Sequence, residues 1–188
     1  MKKMLIIVAH PDDETIWMGG TILKAKIDKT IISLCRATDL NRAPKFKKVC
    51  KILNTRSFMS DLEDDKLNEI KTDEVIKRIK QFIKDEEYDF LFTHNSNGEY
   101  GHIRHKDVHN AVLKMLKDKT LKAKKVFFFS YYPKDKDCFP NLKSDKLIYL
   151  SDILIKEKKR LIHKVYGFDI GSFEEKCSRD IESFEVMK

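Results

Sequence analysis

Histidine and carboxylate side chains are concentrated at two places in the sequence. The first is the segment Ala9-His10-Pro11-Asp12-Asp13-Glu14, which follows an apolar run and precedes a helical pattern. Burial of these groups without partners would be costly, so a metal ion or bound solvent is expected among them. Adjacent side chains of a turn point in different directions, so one aspartate can bind a metal while the other faces water or substrate. A simpler alternative is that Asp12 or Asp13 only caps the following helix.

The second concentration is a run of histidines. His94, His102, His105 and His109 all lie within sixteen residues of each other, and the chain contains six histidines in total. If a helix begins near His102, then His102, His105 and His109 lie along one of its faces. The alternative without a chemical role is a helix whose histidines face the solvent.

Together the two segments offer His10, Asp13 and one histidine of the second segment as metal ligands. Two histidines and one aspartate leave a position open for water, which is typical of a catalytic rather than a structural zinc site. The same set of donors is also the arrangement of non-haem iron sites. The residues therefore predict a catalytic Zn²⁺ site, with Fe²⁺ as the alternative metal.

The elements that would position these residues follow from hydrophobic periodicity. Continuous apolar runs are typical of strands covered on both faces. They occur at residues 4–9, 30–35, 88–93 and 125–131, with a possible short strand at 56–60. Helical patterns between and after them occupy 15–26, 45–53, 73–84 and 105–116. Toward the C-terminus, a possible edge strand at 146–150 is followed by two charged helices at 151–166 and 172–187.

This alternation predicts one domain over residues 1–188 with a Rossmann-like α/β fold, in which a mostly parallel sheet carries helices on both faces. Ligands of such folds bind beyond the carboxyl ends of the strands. Both histidine-containing segments begin where a predicted strand ends, so they should meet at that edge.

Composition and charge narrow the classes of function. The chain has 188 residues, 41% hydrophobic and 36% charged, as expected of a globular protein with a charged surface. Its net charge of +8 comes mostly from lysines mixed with acidic residues, and no nucleic-acid-binding motif accompanies it, so no nucleic-acid partner is expected. No apolar run is long enough to cross a bilayer, so a cytoplasmic location is expected. The four cysteines are too far apart to indicate a disulfide framework or a zinc ribbon.

The motifs resemble those of the LmbE-like (PIG-L) superfamily of de-N-acetylases. The resemblance is carried by Ala-His-Pro-Asp-Asp-Glu at 9–14 and by Gly-Glu-Tyr-Gly-His-x-x-His at 98–105, and it covers roughly residues 1–116. The family includes deacetylases of glucosaminyl-inositol compounds, of bacillithiol and mycothiol precursors, and of chitobiose-type sugars. The resemblance implies zinc-dependent removal of an N-acetyl group from a small amino sugar or glycoconjugate.

The resemblance also implies a role for individual residues. His10, Asp13 and His105 correspond to the zinc ligands, and Asp12 to the general base that activates water. His102 corresponds to the residue that stabilises the oxyanion or protonates the leaving amine. Two further residues are implied: Tyr100, which would assist at the oxyanion, and Arg42, which would contact the sugar or its aglycone.

The sequence departs from the family pattern between the two histidines of the second motif. Many members have Pro-Asp there, and this chain has Ile103-Arg104. Arg104 in place of the aspartate is expected to lower the basicity of His102, unless Asp107 or Glu99 substitutes for it. The departure puts the substrate in doubt more than the chemistry.

Three other functions compete with this one. The same site could hydrolyse another N-acyl substrate, such as an antibiotic or lipid precursor, or could belong to a metal-binding module without activity. A nucleotide-binding Rossmann domain is excluded because the first turn has no glycine-rich motif and its negative charge would repel a phosphate. A homo-oligomer is compatible with the sequence.

Overall fold

The computed structural model describes residues 1–83 and 87–188. Its β-strands are β1 Lys3–Val8, β2 Asp28–Cys35, β3 Arg56–Leu62, β4 Glu87–Thr93, β5 Lys122–Phe129, β6 Tyr131–Lys134, β7 Asp137–Pro140, β8 Lys146–Tyr149 and β9 Ile181–Val186. Its α-helices are α1 Asp13–Lys24, α2 Arg42–Ile52, α3 Thr72–Lys80, α4 Gly98–Gly101, α5 Ile103–Lys117, α6 Asp152–Arg160 and α7 Phe173–Cys177. A π-helical segment, Leu161–Tyr166, continues α6.

Seven strands form one sheet in the order β3-β2-β1-β4-β5-β9-β8, and β6 pairs with β7 in a separate hairpin. The first five strands of that order are parallel, whereas β9 is antiparallel to both of its neighbours. This arrangement confirms the predicted single α/β fold with a mostly parallel sheet. It also confirms the predicted edge strand at 146–150, because β8 is the last strand of the sheet.

The two faces of the sheet carry separate hydrophobic clusters. Alternate residues of β1 divide between them: Met4 and Ile6 pack in the cluster that includes α1 and α2, whereas Leu5 and Ile7 pack in the cluster that includes α3 and α5. Both faces are therefore covered, which explains why the strands have continuous apolar runs rather than alternating ones. The predicted helix at 73–84 corresponds to α3, and its predicted last residue, Lys84, lies outside the described residues.

The prediction of a helix over 172–187 was wrong. The structure has a short α7 followed by β9, which lies between β5 and β8. Glu182 of β9 is fully buried because its carboxylate accepts hydrogen bonds from the backbone N–H groups of Gly20 and Thr21 and from Nζ of Lys158, each at 2.8 Å. Those N–H groups are free because Met18 interrupts α1 with a non-helical φ of −149°. Part of the segment predicted as a charged helix therefore forms a strand whose charged residue has long-range partners.

Among the described residues, no helix is both long enough and apolar enough to cross a membrane.

Candidate metal centre

The candidate site lies at the point where the strand order reverses. After β3 the chain crosses to the other side of β1 to form β4, which pairs with β1. The segments that follow β1 and β4 therefore start from neighbouring strand ends and run apart from each other. Such switch points are where open α/β sheets bind ligands. A cavity of about 270 Å³ opens here. It is lined by His10, Pro11, Asp12, Asp13, Ile16, Trp17, Arg36, Arg42, Asp64, Tyr100, His102, Phe173 and Glu174.

Three of the predicted ligands converge on one point. Nδ1 of His10 lies 3.2 Å from Nε2 of His105, and the carboxylate oxygens of Asp13 lie 3.3 Å from the first nitrogen and 3.4 Å from the second. A tetrahedral Zn²⁺ with bonds of about 2.0–2.1 Å holds its ligand atoms about 3.3 Å apart. The two nitrogens are therefore spaced as ligands of one ion, and each of them lies at a comparable distance from one of the two oxygens of Asp13.

The outward-facing nitrogen of each of the two histidines contacts a carboxylate. Nε2 of His10 lies 2.9 Å from Oδ1 of Asp64, and Nδ1 of His105 lies 2.5 Å from Oε2 of Glu99. With the ring proton of each histidine on the nitrogen that faces its carboxylate, the lone pair of the opposite nitrogen is directed toward Asp13 and available to a metal. Carboxylates in this position orient metal-binding histidines and increase their basicity.

Asp13 is held in the same way. Its Oδ1 accepts a hydrogen bond from the indole of Trp17 at 3.0 Å, and its Oδ2 accepts the backbone N–H of His10 at 2.7 Å. Burial alone would raise the pKa of Asp13, but His105 and His94 outweigh it and hold that pKa well below its usual range. Asp13 is therefore an anion at neutral pH.

The electrostatics of the three donors favour a cation between them. Burial alone would lower the pKa of His10, but hydrogen bonds to Asp13 and Asp64 and their charges raise it to about 10. The two neighbouring carboxylates therefore stabilise a positive charge at this position, which is a proton on His10 in the metal-free protein and would be a bound cation in its place. The residues present therefore fit a divalent metal that prefers nitrogen and oxygen ligands, as Zn²⁺ and Fe²⁺ do.

His94 lies inside the protein next to this candidate metal centre. It is fully buried, its Nδ1 lies 2.8 Å from Glu99, and its Nε2 accepts the backbone N–H of Ala9 at 2.9 Å. Both ring nitrogens are therefore used inside the protein. Burial alone would raise the pKa of Glu99, but the charge of His94 and the hydrogen bond and charge of His105 lower it to about 2.

Asp12 faces the cavity from a strained backbone position. Its φ is 139°, in a region that L-residues rarely adopt, and the buried carboxylate of Glu14 accepts its backbone N–H at 3.1 Å. Backbone strain of this kind persists only where the surroundings enforce it, and it concentrates at functional sites. The side chain of Asp12 makes no capping hydrogen bond to α1 in the described structure, so the simple capping interpretation is not supported for this residue.

Two charges act on Asp12 in opposite directions. Burial and the neighbouring charge of Asp13 raise its pKa well above the usual range, whereas Arg42 lowers it. Nη1 of Arg42 lies 2.5 Å from Oδ2 of Asp12, and its guanidinium stacks on the ring of Phe168. Arg42 lines the cavity, and in this structure its partner is Asp12.

His102 stands at the first turn of α5 and faces His10, with ring centroids 4.6 Å apart. Its Nδ1 accepts the backbone N–H of Arg104 at 3.2 Å, so its side chain caps the helix. In the neutral ring this bond leaves the proton on Nε2. Burial, together with the charges of His10 and His105, lowers the pKa of His102 to about 4.

Tyr100 completes the wall of the cavity. Its ring centroid lies 5.6 Å from that of His102 and 4.8 Å from that of Phe173. Burial and the charges of Asp13 and Asp12 raise the pKa of its hydroxyl, which therefore remains protonated and able to donate a hydrogen bond.

Residues 5–116 match the model of the PIG-L family, described as GlcNAc-PI de-N-acetylase. The chain belongs to this family. The matched residues include most of β1, all of β4 and all of the candidate site residues predicted from the sequence. The solvent-facing alternative for the histidines is also excluded, because His105 is buried against Asp13 and Glu99.

A curated relative and two solved structures extend the comparison. The relative, "Uncharacterized protein L374" of Acanthamoeba polyphaga mimivirus, is 29% identical over 122 residues, which cover 55% of this chain and 53% of the relative. The chain thus spans about half the length of the curated relative that it matches. The A40926 pseudoaglycone deacetylase Dbv21 has a TM-score of 0.63 at 13% identity, covering 87% of this chain and 81% of its own. A triple mutant of a deacetylase of the teicoplanin biosynthetic pathway has a TM-score of 0.62 at 14% identity, covering 88% and 82%. These structures share the fold.

Five residues that line or support the site were not predicted from the sequence to be site residues. Asp64 and Arg36 come from loops after β3 and β2, Phe173 and Glu174 come from α7, and Glu14 holds the backbone of Asp12. The first four contact the site through tertiary folding and belong to no local motif, whereas Glu14 is the last residue of the first motif and contacts Asp12 locally. Of the three histidines expected on one helix face, His109 lies apart, since its Nδ1 contacts the backbone oxygen of His94 at 3.0 Å.

Proposed function

We propose that the chain is a metal-dependent, in the first instance zinc-dependent, N-deacetylase of an amino sugar or glycoconjugate of the N-acetylglucosamine type. The observation that carries the proposal is the convergence of His10, Asp13 and His105 at mutual distances of 3.2–3.4 Å, beside Asp12 and His102. Membership of the PIG-L family supports the same chemistry.

A metal bound by these three residues would polarise the amide carbonyl and lower the pKa of a coordinated water to about 7. The remaining steps use groups of the chain itself. Asp12 takes the proton of the attacking water as the new C–O bond forms, and its raised pKa makes it a stronger base than an ordinary carboxylate. When the C–N bond breaks, the same proton is available for the leaving amine.

His102 is proposed to donate a hydrogen bond to the developing oxyanion. Because its Nδ1 accepts the backbone N–H of Arg104, its neutral ring presents Nε2–H to the cavity. A neutral imidazole at a helix N-terminus suits such a donor role. Tyr100, protonated and beside His102, would assist there. Each donor of this kind commonly contributes about 3 kcal/mol.

A related alternative is hydrolysis of another N-acyl substrate, such as an antibiotic precursor. It is favoured by the two structural neighbours, one an A40926 pseudoaglycone deacetylase and the other a deacetylase of the teicoplanin pathway. Their likeness to this chain concerns the fold, and both substrates would need the same metal-centred chemistry. A metal-binding module without activity is less well supported, because Asp12 and His102 are both present and face the cavity.

The first test is metal analysis combined with an amine-release assay on N-acetylglucosamine derivatives. About one zinc or iron per chain, with amine release that a chelator abolishes, is the expected result. Asp12→Asn should abolish turnover while the metal is retained, whereas His105→Ala should lose both. A protein that binds no metal even after reconstitution would contradict the proposal, and near-normal activity of Asp12→Asn would remove the assignment of the base.

A further inference from the structure

Arg104 occupies the position where family members often have an aspartate, and the structure places it away from His102. Its side chain is fully buried, with 0% exposure. The guanidinium donates to the backbone oxygen and the carboxylate of Glu63, to the backbone oxygen of Asn68 and to the carboxylate of Asp107, at distances of 2.5–2.7 Å. The fork of the guanidinium thus ties α5 to the segment that follows β3.

The segment from Glu63 to Asn68 has neither helical nor strand hydrogen bonding. The hydrogen bonds within this segment also involve Glu63, whose carboxylate accepts the backbone N–H groups of Lys66 and Asn68 at 2.6 and 3.2 Å. Arg104 is therefore bonded to both ends of the loop and to the carboxylate that closes it.

The loop carries Asp64, which joins two residues of the cavity. Oδ1 of Asp64 lies 2.9 Å from Nε2 of His10, and its Oδ2 accepts a hydrogen bond from Nη2 of Arg36 at 2.7 Å. The side chain of Asp64 is almost completely buried, at 7% exposure, so its place depends on the backbone of the loop.

We propose that Arg104 is a positioning residue of the metal centre, which holds the 63–68 loop so that Asp64 orients the ring of His10. The inference rests on the proposed function, because it assumes that His10 binds a metal through Nδ1. Without the anchor, Asp64 would lose its fixed position and His10 could turn its ring or change its tautomer. Loss of a carboxylate that orients a metal-binding histidine typically weakens metal binding by about 10–100-fold.

A purely structural role for Arg104 gives a different expectation. An arginine that only fastens a loop to a helix would change the stability of the fold when replaced, and leave the metal affinity of the folded protein unchanged. The dissociation constant for Zn²⁺, measured on folded protein, therefore separates the two roles.

The experiment measures Zn²⁺ binding to metal-free protein by competition with a chromophoric chelator. Arg104→Met and Asp64→Asn should each weaken binding by about 10–100-fold. The double variant should bind Zn²⁺ about as tightly as the single variant with the lower affinity. The effects of two substitutions that disrupt one interaction are not additive. Arg78→Met is the control, since Arg78 joins α3 to Ser60 of β3, and among the described residues it has no hydrogen bond or ion pair to the 63–68 loop. Its affinity for zinc should equal that of the wild type.

Zinc binding by Arg104→Met within about twofold of the wild type would overturn the inference, as would independent, additive losses in the double variant. If Arg104→Met does not fold, Glu63→Gln decides in its place. Glu63 is partly exposed, and the change keeps its size but removes the charge that faces Arg104. A smaller loss of affinity is then expected, and unchanged affinity overturns the inference. Wild-type protein that binds no zinc would contradict the proposed function itself.

Discussion

The carboxylate of Glu99 lies 2.5 Å from Nδ1 of His105, and both side chains are fully buried. This contact fixes the ring of His105 with Nε2 toward Asp13. Since the carboxylate also accepts Nδ1–H of His94, one acidic residue orients two histidines of the second segment.

Glu99→Gln is therefore expected to weaken zinc binding by about 10–100-fold, because the amide keeps the shape but loses the charge that increases the basicity of His105. Competition with a chelator on metal-free protein measures this effect. Excess zinc should restore part of the turnover, since the ligands themselves remain. An unchanged affinity would show that Glu99 does not support the metal centre.

The second prediction concerns the protonation state of His102. With a pKa lowered to about 4, its ring is neutral throughout the range from pH 5 to 9, and it becomes protonated only as the pH falls through about 4. If the neutral ring donates to the oxyanion, kcat/KM should show no loss due to His102 between pH 6 and 9. A general acid with an ordinary histidine pKa would instead lose activity as the pH rises above about 6.5.

The measurement is a pH–rate profile of the wild type compared with that of His102→Ala. The variant should retain its metal and lose about 100–1000-fold in kcat, the usual cost of removing one oxyanion donor. A basic limb that is present near neutral pH in the wild type and absent from the variant would assign His102 as the general acid instead.

The third prediction separates two roles of Arg42. The resemblance implies that Arg42 contacts the substrate, and the structure places its guanidinium on Asp12. Contact with the substrate predicts that Arg42→Met raises KM with little change in kcat, whereas an effect through Asp12 predicts a lower kcat. Because Asp12 must be deprotonated to accept a proton, and Arg42 lowers its pKa, loss of Arg42 should also move the acidic limb of the profile to higher pH. Steady-state kinetics at several pH values provide the answer.

The fourth prediction tests the buried ion pair that joins β9 to α6. Lys158 and Glu182 are buried, at 1% and 0% exposure, and their charged atoms are 2.8 Å apart. Removing one partner leaves a buried charge without compensation, which typically costs about 3–5 kcal/mol. Lys158→Met should lower the free energy of unfolding by that amount in urea denaturation. Glu157→Gln, in an exposed pair with Arg160, is the control and should cost about 1 kcal/mol or less. Equal effects of the two changes would contradict the assigned role of the buried pair.

The sequence alone predicted the proposed metal ligands and the edge of the sheet at which those residues meet. Hydrophobic periodicity locates β1 and β4, and in a parallel sheet the residues that follow two neighbouring strands must lie close together. His10, Asp13, Asp12, His102 and His105 follow from that rule and from the motifs that they form. The predicted fold, the edge strand and the family required no knowledge of the tertiary contacts.

Only the tertiary structure decided the partners of those residues. Asp64 reaches His10 because the loop after β3 folds over the site, and no local pattern marks it as a member of the centre. Arg104 was expected to act on His102, yet its guanidinium is directed to Glu63 and Asn68. Glu182 and Glu185 fall in the segment predicted as a charged helix, yet they lie in a strand. Their carboxylates accept hydrogen bonds from Lys158 and the N–H groups of α1, and from Asn95 and Ser130. Periodicity reports local preference, whereas the burial of a charge depends on which distant group compensates it.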